Sequence, residues 1–515
     1  MPSPLKALSP KDLQSHLWAG ADILRSSVDA SDYKLYLFGL LFLKYLSDRF
    51  DEHAEATAAS ASPVTLPVAP ADDPSPFKVP PSAHWSTLSS AEHPASALND
   101  ACVALEEENP RLRGILAGID FNDRRLGDPE ARDALLSRLL KHFTPLDLRA
   151  ASLAEPDMLG NAYEFLIERF AERAGKKAGE FRTPLQVVNL AVALCPPEEG
   201  MRICDPTCGS GGMLLGSARD LAHRGGDPRT LRLHGQESNH ATWSICTMNL
   251  VLHGRMDARI ERGDTLRDPR LLDDQGHLLR FDRIFANPPY SLAAWGHDDI
   301  LSDRHDRFQR GIPPRTRADY AFLQHIVATL DTRGQAAIVI PLGVLFRSGI
   351  EATIRQKLLA EDLVQAVIGL PPNLFFGTGI PAAILVLDRD KLPARQGKVL
   401  FIDASRDFEE GSPRNRLRPE DVERIVTTFH AFADAPGYAR VAALEDIAAH
   451  EHHLTVTRYV ATARTTPSEP PTVAAALTRL RALEADRSAA DAHLGAVLRD
   501  LGYEGGEGSE GDEGT

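Results

Sequence analysis

Cysteine is scarce in this chain. Its five cysteines, Cys102, Cys195, Cys204, Cys208 and Cys246, are odd in number among 515 residues, and no two are spaced as Cys-x-x-Cys. That excludes a disulfide framework and a zinc site of the usual spacing, and it points to a reducing compartment. Long apolar runs are missing as well. The longest, Leu35 to Leu43, is too short to span a bilayer, and the N-terminus has no basic segment leading into an apolar core that ends in small residues. The expected location is therefore the cytoplasm, with no membrane partner. Positive charge is also short: 57 basic against 72 acidic residues leave a formal charge of −15, the wrong sign for a protein that holds a polyanion by itself. A nucleic-acid partner would need a local basic groove or another subunit. No Gly-x-x-x-x-Gly-Lys-Ser/Thr loop occurs, which removes the P-loop motors. No nuclease constellation and no metal-binding cluster stands out.

A hydrophobic content of 43% and a charged content of 25% mark a globular protein, and the length asks for two or three domains. Residues from about 10 to 52 carry helical spacing, first with Trp18, Ile23, Leu24 and Val28 on one face, then apolar nearly all round from Tyr33 to Phe50, as in a buried helix. Residues 54–82 are rich in Ala, Ser and Pro without periodicity and read as a linker. Helical spacing returns at Ala97 to Leu105, Asp133 to Phe143 and Asp157 to Arg173. An all-α domain is expected over 1–150.

From there strands alternate with helices. Arg202 to Cys204, Leu231 to Gly235, Ala258 to Ile260, Phe281 to Ala286, Ala336 to Ile340, Leu363 to Ile368, Ala382 to Leu387 and Val399 to Ile402 read as strands. Such alternation predicts an α/β fold over 151–405, a doubly wound, mostly parallel sheet with ligands at the carboxyl ends of its strands. Residues 406–465 are mixed. A long helix is expected within 466–502, where Val473, Leu477, Leu480, Leu483, Ala490, Leu494, Val497 and Leu501 form a stripe suited to a partner helix. The tail 503–515 is Gly- and acid-rich and expected to be disordered.

Asp205-Pro206-Thr207-Cys208-Gly209-Ser210-Gly211-Gly212 lies between a strand and a helix, where glycines let backbone approach a ligand. The third glycine of a dinucleotide loop would fall on Leu214, which speaks against NAD. Acid is what the strand ends have in excess: Asp205, Glu237 and Asp264 follow three successive strands. In a doubly wound sheet these converge on one crevice, with Glu237 suited to ribose hydroxyls and the cluster suited to ammonium and sulfonium charge. S-adenosylmethionine fits that description, and the fold becomes that of the class I S-adenosylmethionine-dependent methyltransferases.

The fourth strand end carries Asn287-Pro288-Pro289-Tyr290. Two prolines fix φ and remove two donors, leaving the Asn287 and Pro288 carbonyls free to face a ligand. An amino group flattened by conjugation is a poor nucleophile. Two acceptors, the Asn287 amide oxygen and the Pro288 carbonyl, could draw its hydrogens out of plane and expose the lone pair. Tyr290 supplies a flat face for the ring that carries the amine.

Asp205 to Met213, Asn287 to Tyr290, Gly179 to Pro184, Ala318 to Phe322, Ile338 to Phe346 and Gly369 to Pro381 together resemble the methylation subunit of type I restriction-modification systems. Leu17-Trp18 and Leu41 to Asp48 resemble that family's N-terminal domain. The resemblance implies methyl transfer to N6 of adenine in double-stranded DNA. It also implies a cofactor held by Glu180, Phe181, Arg182, Thr183, Pro184 and Leu185 besides Ser210, Gly211, Gly212 and Glu237. Phe376 joins Tyr290 as a candidate for stacking on the target base. The family usually has an aromatic where Arg182 stands and a basic residue where Leu185 stands. His453 to Tyr459 follows the family's Asn-Leu-Asn-Ile-x-Arg-Tyr loosely. A separate specificity subunit and a second copy of this chain are implied as partners, and any cleavage would belong to a separate restriction (translocase/nuclease) subunit.

Two other readings share these residues. Enzymes that methylate glutamine side chains in proteins use the same four-residue loop, but they are shorter and lack the helical additions. A non-catalytic DNA-clamp or scaffolding subunit could keep the fold, but the intact Asn287 and Tyr290 count against it. Cytosine C5 methylation needs a cysteine nucleophile, usually after proline, and no Pro-Cys dipeptide occurs.

Overall fold

A computed structural model describes residues 9–25, 30–60, 77–155, 157–173, 183–375, 379–412, 414–460 and 473–500. The chain divides into two compact units, Met1–Val460 and Ala461–Thr515.

The first unit begins with helices. Helix α1 (Pro10–Arg25) buries Leu13, Leu17, Ala21 and Leu24. Of the expected face, Leu24 is buried, Trp18 and Ile23 are half-buried against the same core, and Val28 lies outside the described residues. Helix α2 (Ala30–Ser60) is apolar all round between Tyr36 and Leu46 and is buried there, as expected. It runs on to Ser60, so the first part of the anticipated linker is helical. Ala54-Glu55-Ala56 are good helix formers and no proline interrupts before Pro63, which explains the extension. The linker from 61 to 76 lies outside the described residues. Helices α3 (Trp85–Ser89), α4 (Pro94–Glu108), α5 (Pro129–Phe143) and α6 (Met158–Arg173) complete the group. Asp128 caps α5 by accepting from the Ala131 amide, with Pro129 at the first helical position. Helix α6, beyond the boundary near 150, buries Met158, Leu159, Ala162, Tyr163, Leu166 and Phe170 in the same helical core.

The remainder alternates: α7 (Leu185–Leu194), β1 (Arg202–Asp205), α8 (Gly212–His223), β2 (Arg232–Glu237), α9 (His240–Leu252), β3 (Arg259–Arg262), β4 (Phe281–Ala286), α10 (Asp319–Thr329), β5 (Leu330–Pro341), α11 (Ile350–Ala360), β6 (Val364–Gly369), β7 (Ala382–Asp388), β8 (Lys398–Asp403), α12 (Pro419–Ala431), β9 (Ala439–Ala443) and α13 (Leu444–Ala449). The sheet has nine strands in the order β3-β2-β1-β4-β5-β7-β6-β8-β9. Strands β3, β2, β1, β4 and β5 are parallel neighbours; β7 is antiparallel to both β5 and β6. The order reverses between β1 and β4, and such a reversal opens a crevice at the carboxyl ends. The expected sheet stopped at β8. β9 adds a ninth strand, antiparallel to β8, from the stretch left as mixed. Ala439-Arg440-Val441-Ala442-Ala443 is too alanine-rich to read as a strand.

Both faces of the sheet are covered. Leu214 and Leu215 of α8 with Val187 and Leu190 of α7 fill one face, Leu323 and Ile326 of α10 with Ile354 and Leu358 of α11 the other. Helix α9 is shared. Its Cys246 and Leu250 pack into the sheet core, while Ile245, Met248, Val251 and Leu252 pack into the core of the helical region. That is why His240 to Leu252 is apolar nearly all round.

The second unit holds α14 (Val473–Asp500), the expected long helix. Leu477, Leu480, Leu483 and Leu494 are exposed at 47–58%.

Helices α7 and α8 approach closely at Gly216, where an added Cβ would lie 2.4 Å from Val188 Cγ1. Gly216→Ala is expected to destabilise the protein by about 1–3 kcal/mol through overpacking. A urea midpoint equal to the parent's would mean that these helices have slack.

Candidate active site

The carboxyl ends of β1, β2, β3 and β4 carry the acids and the Asn-Pro-Pro-Tyr loop in one row, as anticipated. After β1, the Asp205 carboxylate accepts from the Thr207 amide at 3.0 Å and bends the chain into the glycine loop. Gly209 and Gly211 take left-handed conformations (φ 53° and 84°), and Gly211 starts α8. At Gly209 and Gly212 an added Cβ would meet nothing within 4 Å, so the loop has room beside it. At Gly211 it would lie 3.1 Å from Cys246 Sγ, so the loop rests there on α9.

Glu237 closes β2 and joins the loop. Its Oε2 accepts from the Gly209 amide at 3.1 Å and its Oε1 from the Asn239 amide at 2.8 Å. Asp264, after β3, caps its own turn through the amides of Leu266 and Arg267, with Arg267 Nε 3.9 Å away. Sequence reasoning missed two residues that hold this row together. Thr265 Oγ1 donates to the Pro206 carbonyl at 2.5 Å, and Asn249 Nδ2 to the Ser210 carbonyl at 2.9 Å. A lone asparagine inside the apolar helix α9 was the available signal for the second.

After β4, Asn287 Nδ2 donates to Thr183 Oγ1 at 3.0 Å, while Asn287 Oδ1 is buried with no hydrogen-bond partner among the described residues. A threonine followed by proline is a natural cap and first position for a helix such as α7. Instead Pro184 is the N-cap, without a side-chain cap bond, and the threonine hydroxyl holds the asparagine. Pro288 is buried and Pro289 half-buried. Tyr290 is half-buried with its ring edge-on to Phe375, centroids 6.4 Å apart. Burial, with the Asp319 charge behind it, raises the Tyr290 phenol well above its ordinary value, so it stays a neutral ring. Leu185 is exposed at the start of α7. Glu180, Phe181, Arg182 and Phe376 lie outside the described residues. Among the described residues no group of three His, Cys, Asp or Glu side chains could hold a metal ion.

Asp205 is almost wholly buried, and burial pushes its carboxyl up to about 7, with the Glu237 charge adding to the shift. The folded protein therefore binds a proton here that the unfolded chain has lost. Stability from this residue is highest below its unfolded value and falls as pH rises toward 7. Asp205→Asn keeps an acceptor for Thr207 without the charge. The variant is expected to exceed the parent in urea stability by at least about 1 kcal/mol at pH 8, with the difference shrinking toward pH 4. A pH-independent difference would contradict a buried, proton-binding Asp205.

Comparison with known proteins supplies the family. Residues 154–467 match the model described as N-6 DNA Methylase, and residues 13–143 match the HsdM N-terminal domain. The methylase subunit of the type I restriction enzyme HindI from Haemophilus influenzae is 31% identical over 428 residues, covering 80% of this chain and 93% of that protein. The MjaVIII methylase subunit from Methanocaldococcus jannaschii is 30% identical over 479 residues, 88% of this chain and 79% of the relative. The crystal structure of a type I restriction-modification methyltransferase subunit from Streptococcus thermophilus superposes with a TM-score of 0.76 at 30% identity, over 88% of this chain and 100% of that one. The relatives favour DNA methylation over glutamine methylation and over a clamp without activity. The chain thus belongs to the N-6 DNA methylase family, as an adenine-specific DNA methyltransferase of the kind that forms the methylase subunit of type I restriction-modification systems.

Proposed function

We propose that methyl transfer takes place at the carboxyl ends of β1 to β4, with S-adenosylmethionine over the glycine loop and the target adenine against Asn-Pro-Pro-Tyr. The observation that carries this reading is Asn287 Oδ1, buried and without a hydrogen-bond partner among the described residues. A buried carbonyl left without a donor costs about 1–3 kcal/mol, which a ligand amine would recover. With its amide nitrogen on Thr183 Oγ1, the Asn287 side chain keeps its oxygen for a ligand.

The cofactor fits the residues present. Open space beside Gly209 and Gly212 admits a ligand against the backbone. Glu237, at the end of β2 beside the glycine loop, is the carboxylate placed to accept from ribose hydroxyls. Asp205, Ser210, Gly211 and Asp264 complete the cradle. By the family resemblance Glu180 to Leu185 would join it; of these Thr183, Pro184 and Leu185 are described, at the start of α7. When bound, S-adenosylmethionine supplies an electrophilic methyl group on a sulfonium. The Asn287 amide oxygen and the Pro288 carbonyl accept from the two N6 hydrogens, drawing them out of the ring plane and exposing the nitrogen lone pair. Tyr290, neutral and edge-on to Phe375, stacks on an adenine flipped from the duplex, with Phe376 as a second stacking face; stacking returns about 1–3 kcal/mol of the unstacking cost. No covalent intermediate with the protein is involved.

Asn287→Ala is expected to lower methyl transfer by at least about a hundred-fold, the loss seen when one transition-state acceptor or donor is removed, while leaving S-adenosylmethionine affinity nearly intact. Glu237→Ala should show the reverse emphasis, weakening calorimetric affinity about ten-fold or more through a lost charge-assisted hydrogen bond. Parental turnover in the first variant would sink the mechanism.

DNA recognition falls to a partner. The chain carries a net charge of −15, the wrong sign for tight solitary binding of DNA. A specificity subunit, with two copies of this chain around it, would supply recognition in the cytoplasm. A restriction subunit would supply any cleavage. The exposed leucines of α14 offer a partner helix its seam. A chain ending at Thr466 is expected to lose assembly with the specificity subunit on size-exclusion chromatography. Undiminished assembly, or sequence-specific methylation by the lone full-length chain, would show that recognition lies elsewhere.

A further inference from the structure

The residue after Tyr290 is held in an unusual way. Ser291 has φ 51°, a left-handed conformation that a non-glycine residue adopts only when its surroundings impose it. Two side chains do so here. Asp319, buried at the start of α10, accepts from the Ser291 amide at 2.8 Å through Oδ1. Arg347 donates to Asp319 Oδ2 at 2.6 Å with one nitrogen and to Ser291 Oγ at 3.2 Å with the other. Glu351, also buried, lies 3.4 Å from Arg347 and 3.5 Å from Arg317, so the guanidinium sits between two carboxylates.

The segment that carries Arg347 is itself pinned from below. Arg355, 1% exposed, donates to the carbonyls of Val344 (3.3 Å) and Arg347 (3.1 Å) and, through Nε, to that of His452 (2.7 Å). The Leu454 amide donates to the Leu345 carbonyl at 2.8 Å. The stretch from His453 to Tyr459, which resembles a family motif only loosely, thereby acquires a place: it straps down the turn from which Arg347 reaches the loop. Gly343 makes room for this reach, because a Cβ there would lie 2.5 Å from Arg347 Nε.

We propose that Asp319 and Arg347 form a bracket that sets the pitch of the Tyr290 ring by locking Ser291 in its left-handed conformation. They are positioning residues for the target adenine. The inference rests on the reading of Tyr290 as the stacking face. Without the bracket Ser291 relaxes toward a right-handed or extended conformation, which rotates the peptide joining it to Tyr290 and tilts the ring away from its edge contact with Phe375. Asn287, tied to Thr183 on the other side of two rigid prolines, keeps its place.

Two substitutions break the bracket by different routes. Arg347→Ala removes the guanidinium. Gly343→Ala leaves every charge in place and displaces the guanidinium by bulk, so it serves where Arg347→Ala folds poorly. Both would be made in the full-length chain assembled with its specificity subunit, alone and combined with Tyr290→Ala. The readouts are single-turnover methyl transfer, S-adenosylmethionine affinity by calorimetry, and the fluorescence of 2-aminopurine at the target position. Each single variant is expected to slow transfer about ten-fold or more, as misplacement of a substrate-orienting group does. Cofactor affinity should stay within about two-fold, and 2-aminopurine emission in the complex should shift in the direction that Tyr290→Ala shifts it. In the Tyr290→Ala background a second substitution should slow transfer by less than about two-fold, because residues acting through one ring are not additive. Multiplicative slowing in the double variants, or parental rates in both single variants, overturns the bracket. Parental turnover in Asn287→Ala would overturn the site assignment instead, a result these variants do not mimic.

Discussion

A single half-satisfied amide sets the terms for the rest of this molecule. Asn287 is half-buried, with its nitrogen spent on Thr183 and its buried oxygen unspent among the described residues, an arrangement that packing alone would select against. It persists because the backbone around it has little freedom. Two prolines fix the chain after Asn287, β4 fixes it before, and Thr183 stands at the entry to α7, whose Val187, Leu190 and Leu194 are buried in the sheet core. The acceptor is thus held in place by the backbone and the neighbouring hydroxyl before any ligand arrives, which is the form that preorganisation takes in a site built on strands.

The sheet order explains why that acceptor lies beside the glycine loop. Strand β1 pairs with β2 on one side and β4 on the other, so the residues following β1 and β4 are neighbours although some 80 residues separate Asp205 from Asn287 in sequence. Glu237 then links β2 to the loop through the Gly209 amide, and Thr265 links the β3 exit to Pro206. These cross-ties make the crevice one object. A change in the glycine loop is felt at Glu237, and a change in α9 is felt at Ser210 through Asn249.

Much of this was legible in the sequence, for identifiable reasons. Strands buried on both faces read as short apolar runs, and the acids that follow them fall at the carboxyl ends whatever the details of packing, so the row Asp205, Glu237, Asp264 and Asn287 could be drawn before any coordinates. The side-chain pairings across that row could not. Thr183 reads as a helix cap because threonine before proline usually is one; its bond to Asn287, 104 positions away, depends on where α7 meets β4. Asp319 and Arg347 lie in stretches whose apolar pattern announces only a helix and a strand. β9 escaped notice because alanine and arginine carry little strand preference, and its pairing with β8 supplies what local preference lacks. The extension of α2 to Ser60 failed for the opposite reason: its alanines were read as linker composition rather than as helix formers.

Helix α9 has a further consequence, for how the chain comes to be folded. Its two faces close two different cores, so the helical region at the N-terminus, although made first, lacks Ile245, Met248, Val251 and Leu252 until the ribosome has passed well into the alternating region. At about 5–20 residues per second, the helices up to Arg173 wait several seconds with an apolar groove uncovered. The helical region can be nascent but not finished during that interval. Chaperones that shelter emerging chains have their clearest target there, and cutting the chain before α9 would leave an apolar face uncovered on each side of the cut.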